Sequence, residues 1–374
     1  MTDLAVALPP ERVAAASQWQ LIWWAFRRHH LAMVALFVTI VLYVTAAAPG
    51  FFATNDPGQQ NARATFHPPQ AIHWFGVNED GSWRLGPWFH PMKLARDPET
   101  LAANFVEDPT RRIDVTLFGE GYTYSVLGLF ETNRHLIAST DPSQPLFVFG
   151  ADRLGRDVYS RVVQGGQISL SIGLVGVFLS LLIGIVLGGI SGYFGGPLDF
   201  AIQRLIDFVL SLPTIPIWLA LAAALPQNWS PIAQYMMITV ILSLTGWAQL
   251  ARVVRGRFLS LRTEEFVSAA RLDGCSQGRI IFRHMLPSFM SHIIASVTLA
   301  VPAMILAETA LSFLGLGLQP PTISWGVLLR EAQNIRSIAT APWLFLPGLA
   351  VVLAVMALNL LGDGLRDAAD PYNK

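Results

Sequence analysis

One long polar, arginine-bearing stretch, Thr263 to Pro287, interrupts the apolar C-terminal half of the sequence. Thr263 can cap a helix whose first turn holds Glu264 and Glu265, where carboxylates suit the positive end of the helix dipole. Gly274 can end this helix in a left-handed conformation, and Ser276 can cap a second helix that stops near Pro287. The stretch therefore predicts two short helices that meet at a glycine corner.

Small side chains in the first of these helices suit contact with another surface. Phe266 and Ala270 lie four residues apart on one helix face, and Ala269 and Ala270 are small enough for a foreign surface to approach the backbone closely. The chemistry indicated is recognition of a partner.

Ionisable residues inside the apolar segments are the other candidates, because charge is costly to bury in a membrane. Arg204 and Asp207 are three residues apart on a predicted helix, so they can form an ion pair, in a structural role or along a pathway. Glu308 either lines a pathway or accepts hydrogen bonds from Thr309 and neighbouring helices. Both interpretations of Glu308 stand.

No pattern in the sequence indicates an enzyme or a bound metal. The 8 histidines show no His-Glu-x-x-His spacing, no Gly-x-Ser-x-Gly elbow occurs, and Cys275 is the single cysteine. Neither lysine, Lys93 or Lys374, follows the glycine-rich motif of a phosphate-binding loop. We expect no cofactor in this chain; if ATP drives the protein, another chain must bind it.

The composition indicates a membrane protein. Of 374 residues, 53% are hydrophobic and only 13% are charged, whereas soluble domains carry about 25% charged residues. A net charge of zero gives no reason to expect nucleic acid as a partner. Hydropathy predicts an all-α polytopic fold with six transmembrane helices, at residues 31–48, 168–193, 200–225, 232–251, 288–314 and 342–361.

The basic cluster Arg27-Arg28-His29-His30 precedes the first span and places the N-terminus in the cytoplasm by the positive-inside rule. Six spans then return the C-terminus to the same side. A signal peptide cleaved near Ala48 is the competing interpretation, but its apolar core would exceed the usual length of about 7 to 15 residues. The aromatic residues at 19–26 suit a helix at the membrane interface.

Residues 49–165 hold no stretch that crosses a bilayer, so we expect a small extracytoplasmic insert that contains β-structure. Residues 113–117 and 122–126 alternate apolar and polar side chains around Gly119 and Gly121, which predicts a hairpin. The aromatic residues of the insert hold it together, sit at the membrane surface or face a partner. They include Trp74, Phe75, Trp83, Trp88 and Phe89.

Two features of the spans predict how they pack and bend. Small residues recur every four positions along the second span and let helix backbones approach closely, which predicts a packing seam and leaves a substrate-lining role as the alternative. They are Gly176, Ser180, Gly184, Gly188, Gly192 and Gly196. Pro213 and Pro216 interrupt the third span, where their missing amide hydrogens should kink the helix.

The polar loop and its surroundings resemble the permeases of binding-protein-dependent ABC importers. Ala269-Ala270, Gly274 and Leu286-Pro287 match the spacing of the family's EAA loop, although Ser268 replaces the usual Glu and His284 the usual Ile. Four further segments resemble the C-type permease subunits of the dipeptide, oligopeptide and nickel branch. They lie at residues 150–170, 199–213, 307–326 and 362–371.

The resemblance implies a non-catalytic permease subunit of an ATP-driven importer, most consistent with oligopeptides or dipeptides, in the bacterial cytoplasmic (inner) membrane. Implied partners are a second permease, one or two ABC ATPase subunits that bind ATP and Mg²⁺, an extracytoplasmic solute-binding protein and membrane lipid. The residues implied in coupling to the ATPase are Glu265, Phe266, Ala269, Ala270, Gly274, Leu286 and Pro287.

The predicted organisation has five parts. Residues 1–30 form an N-terminal cytoplasmic or interfacial segment, 31–48 the first span, 49–165 the extracytoplasmic insert and an entry helix, 166–363 the five-helix permease core, and 364–374 the cytoplasmic tail. The core includes a coupling loop at 253–287. Nickel, opines or oligosaccharides remain alternative substrates, and a secondary transporter or a membrane-anchored sensor is the alternative from another class.

Overall fold

Long helices dominate the computed structural model, which describes residues 18–77, 83–96, 103–126, 128–226, 229–334 and 340–369. A short helix, α1 (Gln18–Arg28), leads into α2 (His30–Ala47) and the single turn α3 (Pro49–Phe52). In α1 the side chains of Trp19 and Trp23 are exposed and Phe26 is buried. This amphipathic pattern is the one expected of a helix at a membrane interface.

The remaining helices follow the β-rich insert. They are α4 (Val158–Phe194), α5 (Gly196–Ser211), α6 (Thr214–Ala223), α7 (Pro231–Leu261), α8 (Glu265–Leu272), α9 (Gln277–Arg279), α10 (Leu286–Ser288), α11 (Met290–Phe313), α12 (Trp325–Glu331) and α13 (Leu346–Ala369). A π-helix, Ile280–Met285, connects α9 to α10.

Among the described residues, 5 helices are long and apolar enough to cross a membrane, namely α2, α4, α7, α11 and the last helix with its preceding turn. The pair α5 and α6 is bent by 84° and adds a sixth crossing if it forms one span. Pro213 lies at this break, where the kink was predicted. The mostly helical fold predicted from the sequence is therefore confirmed, with five or six candidate membrane spans.

Small residues of α4 form the seam against which α7 packs. A methyl group added at Gly192 would lie 2.6 Å from Cβ of Phe258 and 2.7 Å from the carbonyl oxygen of Arg255. The hydroxyls of Ser180 and Ser243 each donate a hydrogen bond to a carbonyl of the opposite helix, at 3.2 and 3.1 Å. The predicted packing seam is confirmed from Gly176 to Gly192. It was wrong for Gly196, which begins α5 and where an added methyl group would meet no atom within 4 Å.

The bundle has two distinct ends. We call the end that carries residues 49–157 the insert end, and the end that carries residues 262–289 the loop end. Helices α4 and α13 run from the insert end to the loop end, where His29 lies 3.7 Å from Asp367. Each polar cluster described below lies at one of these ends.

The insert contains eight strands within the described residues. Strands β1 (His73–Val77), β2 (Trp83–Phe89), β5 (Ile113–Leu117) and β8 (Ile137–Ser139) form one sheet in the order β1-β2-β5-β8. Strands β3 (Met92–Arg96) and β4 (Ala103–Glu107) form a second sheet, and β6 (Glu120–Val126) and β7 (Phe130–Arg134) form a third. Phe89 is fully buried, whereas Phe75 is 70% exposed.

The predicted hairpin between residues 113–117 and 122–126 is wrong. The segments are strands, but β5 pairs with β2 and β8, and β6 pairs with β7. The chain turns at Phe118, whose amide bonds to the carbonyl of Leu136 instead of closing a local turn. Alternation of apolar residues identifies a strand but does not specify which strand lies beside it.

Candidate functional site

The first short helix of the polar loop, α8, begins at Glu265, and Glu264 occupies its N-cap. The predicted cap at Thr263 is wrong, because the Thr263 hydroxyl donates to the carbonyl of Ser260 at 3.0 Å. The preceding helix α7 ends at Leu261, so Thr263 completes the end of that helix. Glu265 remains in the first turn of α8, where its carboxylate suits the helix dipole.

Gly274 ends α8 with φ +71°, the left-handed conformation that was predicted. The amide of Cys275 donates to the carbonyl of Ala270, and the amide of Gly274 donates to the carbonyl of Arg271, both at 3.1 Å. These two bonds define a Schellman motif, which satisfies the free carbonyls at the helix end. The corner is therefore a fixed turn.

One face of α8 is buried against the ends of the long helices. Val267 is fully buried and Ala270 is 6% exposed, and both pack in a cluster with Val254, Phe258 and Met285. The Arg271 guanidinium lies 5.4 Å above the ring of Tyr193 in α4. Ala270 thus faces its own chain, which corrects the expectation that both alanines meet a foreign surface; only Ala269 is exposed.

The other face of α8 is open. Glu265 and Ala269 are exposed, Phe266 is 39% exposed, and Leu272 is 90% exposed. An exposed leucine on the same helix face as other exposed apolar side chains indicates a contact surface. Leu272 was not predicted as a contact residue, although its position three residues after Ala269 places both on one helix face.

The second helical segment, residues 277–288, packs against the buried face of α8. Ser276 caps it as predicted, accepting a hydrogen bond from the amide of Arg279 at 3.4 Å. The segment ends at Ser288, one residue past Pro287, and Phe289 then breaks the helix before α11. Leu286 is half-buried against the same cluster, whereas Pro287 is exposed.

Charged residues tie α5 to α7 near the loop end. Arg204 and Asp207 form the predicted pair at 3.3 Å, but Arg252 of α7 lies closer to Asp207, at 2.8 Å. Arg255 binds both carboxylate oxygens of Asp199, at 2.6 and 2.7 Å. The two pairs between helices depend on tertiary packing, so residue spacing within one helix did not reveal them.

Glu308 is fully buried and accepts three hydroxyl hydrogen bonds, from Ser169 at 3.0 Å, Ser312 at 2.9 Å and Ser324 at 2.8 Å. The hydroxyl of Thr309, an expected donor, makes no hydrogen bond within the described residues. These contacts support hydrogen bonding to neighbouring elements and join α4, α11 and the residue that caps α12. A buried carboxylate needs such donors to offset its lost hydration.

At the insert end, the start of α4 carries a second group of charges. Asp152 and Glu331 bind Arg156 and Arg161, with Arg156 at 2.7 Å from Asp152 and 2.8 Å from Glu331. Burial raises the pKa of the adjacent Asp157, and hydrogen bonds from Ser160, Thr54 and Asn55 oppose the rise. The network joins the insert to α12.

Within the residues that the structure describes, no group of three or more His, Cys, Asp or Glu side chains is arranged to hold a metal ion. The geometry brings together the predicted residues Glu265, Phe266, Ala269 and Ala270 on one short helix, with Gly274 in the turn that follows it. It places Arg204 and Asp207 beside a neighbouring helix and Glu308 at the opposite end.

Residues 184–373 match the family described as binding-protein-dependent transport system inner membrane component. Residues 17–69 match the N-terminal transmembrane domain of oligopeptide transport permease C. The second match covers α1 to α3 and continues to residue 69, into the insert, whereas the first begins at residue 184, inside α4.

Three relatives illustrate the similarity. The chain is 40% identical over 225 residues to the dipeptide transport system permease protein DppC of Bacillus subtilis, covering 60% of this chain and 68% of that protein. It is 40% identical over 244 residues to DppC of Alkalihalophilus pseudofirmus, covering 63% and 78%. It is 36% identical over 243 residues to the oligopeptide transport system permease protein OppC of Bacillus subtilis, covering 65% and 77%. The chain therefore belongs to the family of inner membrane components of binding-protein-dependent transport systems.

Proposed function

We propose that this protein is a permease subunit of an ATP-driven importer of dipeptides or oligopeptides in the bacterial inner membrane. The names of the relatives support peptides as the substrate class. The permease forms the translocation pathway with a second, different permease, and ATP is bound and hydrolysed by separate subunits. Nickel, opines and oligosaccharides are the substrates to test next.

The observation that carries the proposal is the construction of α8. One face is anchored in the apolar cluster that contains Val254, Phe258 and Met285, and the other presents Phe266, Ala269 and Leu272 outward. A short helix with fixed ends transmits force better than a flexible loop, because its contacts move together. We assign this exposed face to the ATPase subunit.

The mechanism follows from what α8 touches. When the ATPase pair closes on ATP, a force on the exposed face passes through Val267 and Ala270 to the ends of α7 and α11, and through Arg271 to Tyr193 of α4. The helices then tilt as near-rigid bodies and expose the pathway to alternate sides of the membrane.

The proposal fixes the orientation of the chain. The loop end faces the cytoplasm, where the ATPase lies, and both termini lie on that side if α5 and α6 form one span. The insert end then faces the compartment that holds the solute-binding protein. The insert contacts that protein or covers the outer mouth of the pathway.

A mild-detergent pull-down of the chain from its native membrane tests the assembly. We expect a second permease, a phosphate-loop ATPase and a solute-binding protein among the co-purified proteins identified by mass spectrometry. Recovery of the intact chain alone would overturn the proposal. Uptake that follows a proton or sodium gradient and ignores ATP depletion would favour a secondary transporter instead.

A further inference from the structure

A polar cavity of about 400 Å³ opens at the insert end, beside the charged network at the start of α4. Arg153, Arg330, Gln319 and Glu331 are among its lining residues. They come from the turn before α4, from α12, and from the segment between α11 and α12. None of these residues belongs to the contact face of α8.

The charges around this cavity do not cancel. Asp152 and Glu331 are neutralised by Arg156 and Arg161, which bind them directly. Two guanidinium groups of the lining, those of Arg153 and Arg330, form no ion pair with the described residues. Arg153 is exposed and makes no hydrogen bond or ion pair with the residues that the structure describes. An unpaired cationic cavity attracts an anion.

Two neighbouring residues, Gln319 and Gly315, hold Arg330 in place. Its Nη1 donates to the side-chain oxygen Oε1 of Gln319 at 2.7 Å, and the side-chain nitrogen Nε2 of Gln319 donates to the carbonyl of Gly315. A methyl group added at Gly315 would lie 2.6 Å from Cζ of Arg330, so the guanidinium rests directly on that glycine. Among the described residues, Gln319 takes one of the five guanidinium N–H donors of Arg330.

The turn that carries Arg153 is also fixed. Oδ1 of Asp152 accepts hydrogen bonds from the amides of Leu154 at 2.8 Å and Arg156 at 3.0 Å. Gly155 completes the turn at φ +70°, and an added methyl group there would overlap the carbonyl of Asn61. The backbone turn that carries Arg153 and the guanidinium of Arg330 are thus held in place, and such preorganisation lowers the cost of binding.

We propose that this cavity binds a carboxylate, and specifically the C-terminal carboxylate of a peptide as it enters the permease. The inference rests on the proposed function and adds a feature that the substrate must carry. Guanidinium groups bind carboxylates through paired N–H donors, which gives direction as well as affinity. Each peptide presents this group once, so the cavity sets which end of the peptide is held there.

The experiment compares two forms of one peptide, with a free and with an amidated C-terminus, in the complete transporter reconstituted in proteoliposomes. The binding protein is the same throughout and is saturated with each peptide. The variants are Arg153→Gln, Arg330→Gln and the control Arg111→Gln, which removes an exposed positive charge elsewhere on the insert. We measure ATP-dependent uptake rates and the ratio of the free to the amidated form.

We expect the uptake ratio to fall by about tenfold in Arg153→Gln, the order of magnitude for losing a charge-assisted hydrogen bond. Arg111→Gln should keep the wild-type ratio. Arg330→Gln should change the uptake ratio in the same way as Arg153→Gln. Because Arg330 also bonds to Gln319, its substitution can impair folding. In that case the result for Arg153→Gln alone decides the test.

Three outcomes would overturn the inference. An unchanged ratio in Arg153→Gln would show that the cavity does not read the carboxylate. An equal loss for both peptides would assign the arginines to docking of the binding protein. Absence of ATP-dependent peptide uptake by the wild-type transporter would overturn the proposed function and the inference with it.

Discussion

Gly274 is the residue of α8 whose conformation no other common residue adopts without strain. Its φ is +71°, and no atom lies within 4 Å of the position that a Cβ would occupy. The positive φ therefore favours glycine at this position, whereas the space around it would admit a larger side chain. A β-branched residue in the left-handed region costs roughly 1–2 kcal/mol.

We expect Gly274→Val to reduce transport while membrane insertion stays intact, because the strain is relieved by distorting the corner that fixes α8. Gly278→Val is the matched control, since Gly278 also has open space around it but no positive φ. Transport assays and membrane yields of both variants check the expectation. Wild-type transport by Gly274→Val would remove this corner from the coupling mechanism.

Leu272 tests the contact face of α8 itself. Its side chain is 90% exposed, and burial of a leucine against a partner contributes about 1.5–3 kcal/mol. We expect Leu272→Asp to lower the fraction of ATPase that co-purifies by about tenfold or more. Thermal stability of the permease should not change, because the side chain is not part of its packing.

Leu85→Asp is the control for Leu272→Asp, since Leu85 is 78% exposed but lies in the insert. It should retain the ATPase fully. Normal ATPase recovery with Leu272→Asp would mean that the partner contacts other residues of the loop end.

Substitutions of Glu308 test how much its hydrogen bonds stabilise the packing at the insert end. Glu308→Leu leaves the hydroxyls of Ser169, Ser312 and Ser324 without their common acceptor, and each unsatisfied buried group costs about 1–3 kcal/mol. We expect a clear fall in the melting temperature of the detergent-solubilised protein. Glu308→Gln should fall less because the amide keeps an acceptor, and Leu306→Ala, at a position 47% exposed on the same helix, should change little.

At the scale of elements, the seam between α4 and α7 decides how rigidly the bundle moves. We expect Gly192→Ala to destabilise the protein by about 1–3 kcal/mol, the usual cost of overpacking, because the methyl group would lie 2.6 Å from Cβ of Phe258. Gly256→Ala in α7 meets no atom within 4 Å and should be neutral or slightly stabilising. Thermal unfolding of both variants in detergent would decide; equal stabilities would show that the helices separate at no cost.

Elements were predictable from the sequence to the extent that their signals are local. Apolar length located α2, α4, α7, α11 and α13, and Pro213 located the break between α5 and α6. The Gly274 corner was predictable because its φ depends on one residue. The ends of the helices were less predictable. Helix α4 begins ten residues before the predicted span, because Asp157 caps it by accepting a hydrogen bond from the amide of Ser160.

The remaining features depend on contacts distant in sequence. Strand alternation could not show that β5 pairs with β2 and β8. The burial of Ala270 and the pairing of Arg252 with Asp207 both require the position of another helix. Nor did the sequence alone bring Arg153 and Arg330 to one cavity, because 176 intervening residues separate them.

At the scale of the whole molecule, one helix connects both proposed contact regions. Helix α4 has 37 residues and is therefore about 55 Å long. Tyr193 at its loop end lies under Arg271 of α8, and Arg161 at its insert end binds Glu331 beside the polar cavity. A tilt of α4 driven at the loop end must therefore displace the charged network at the insert end.

Helix α4 can carry movement across the membrane only if the insert end and the loop end lie on opposite sides. The single cysteine of the sequence provides a test of this orientation. Cys275 lies at the corner of the loop end and is partly exposed. We expect a membrane-impermeant maleimide to label wild-type protein in inverted vesicles but not in intact spheroplasts. In a Cys275→Ser background, Gln59→Cys at an exposed position of the insert should give the reverse pattern. Labelling of both cysteines from the same side would place the insert beside the ATPase, and α4 could not then carry movement from ATP hydrolysis to the outer mouth.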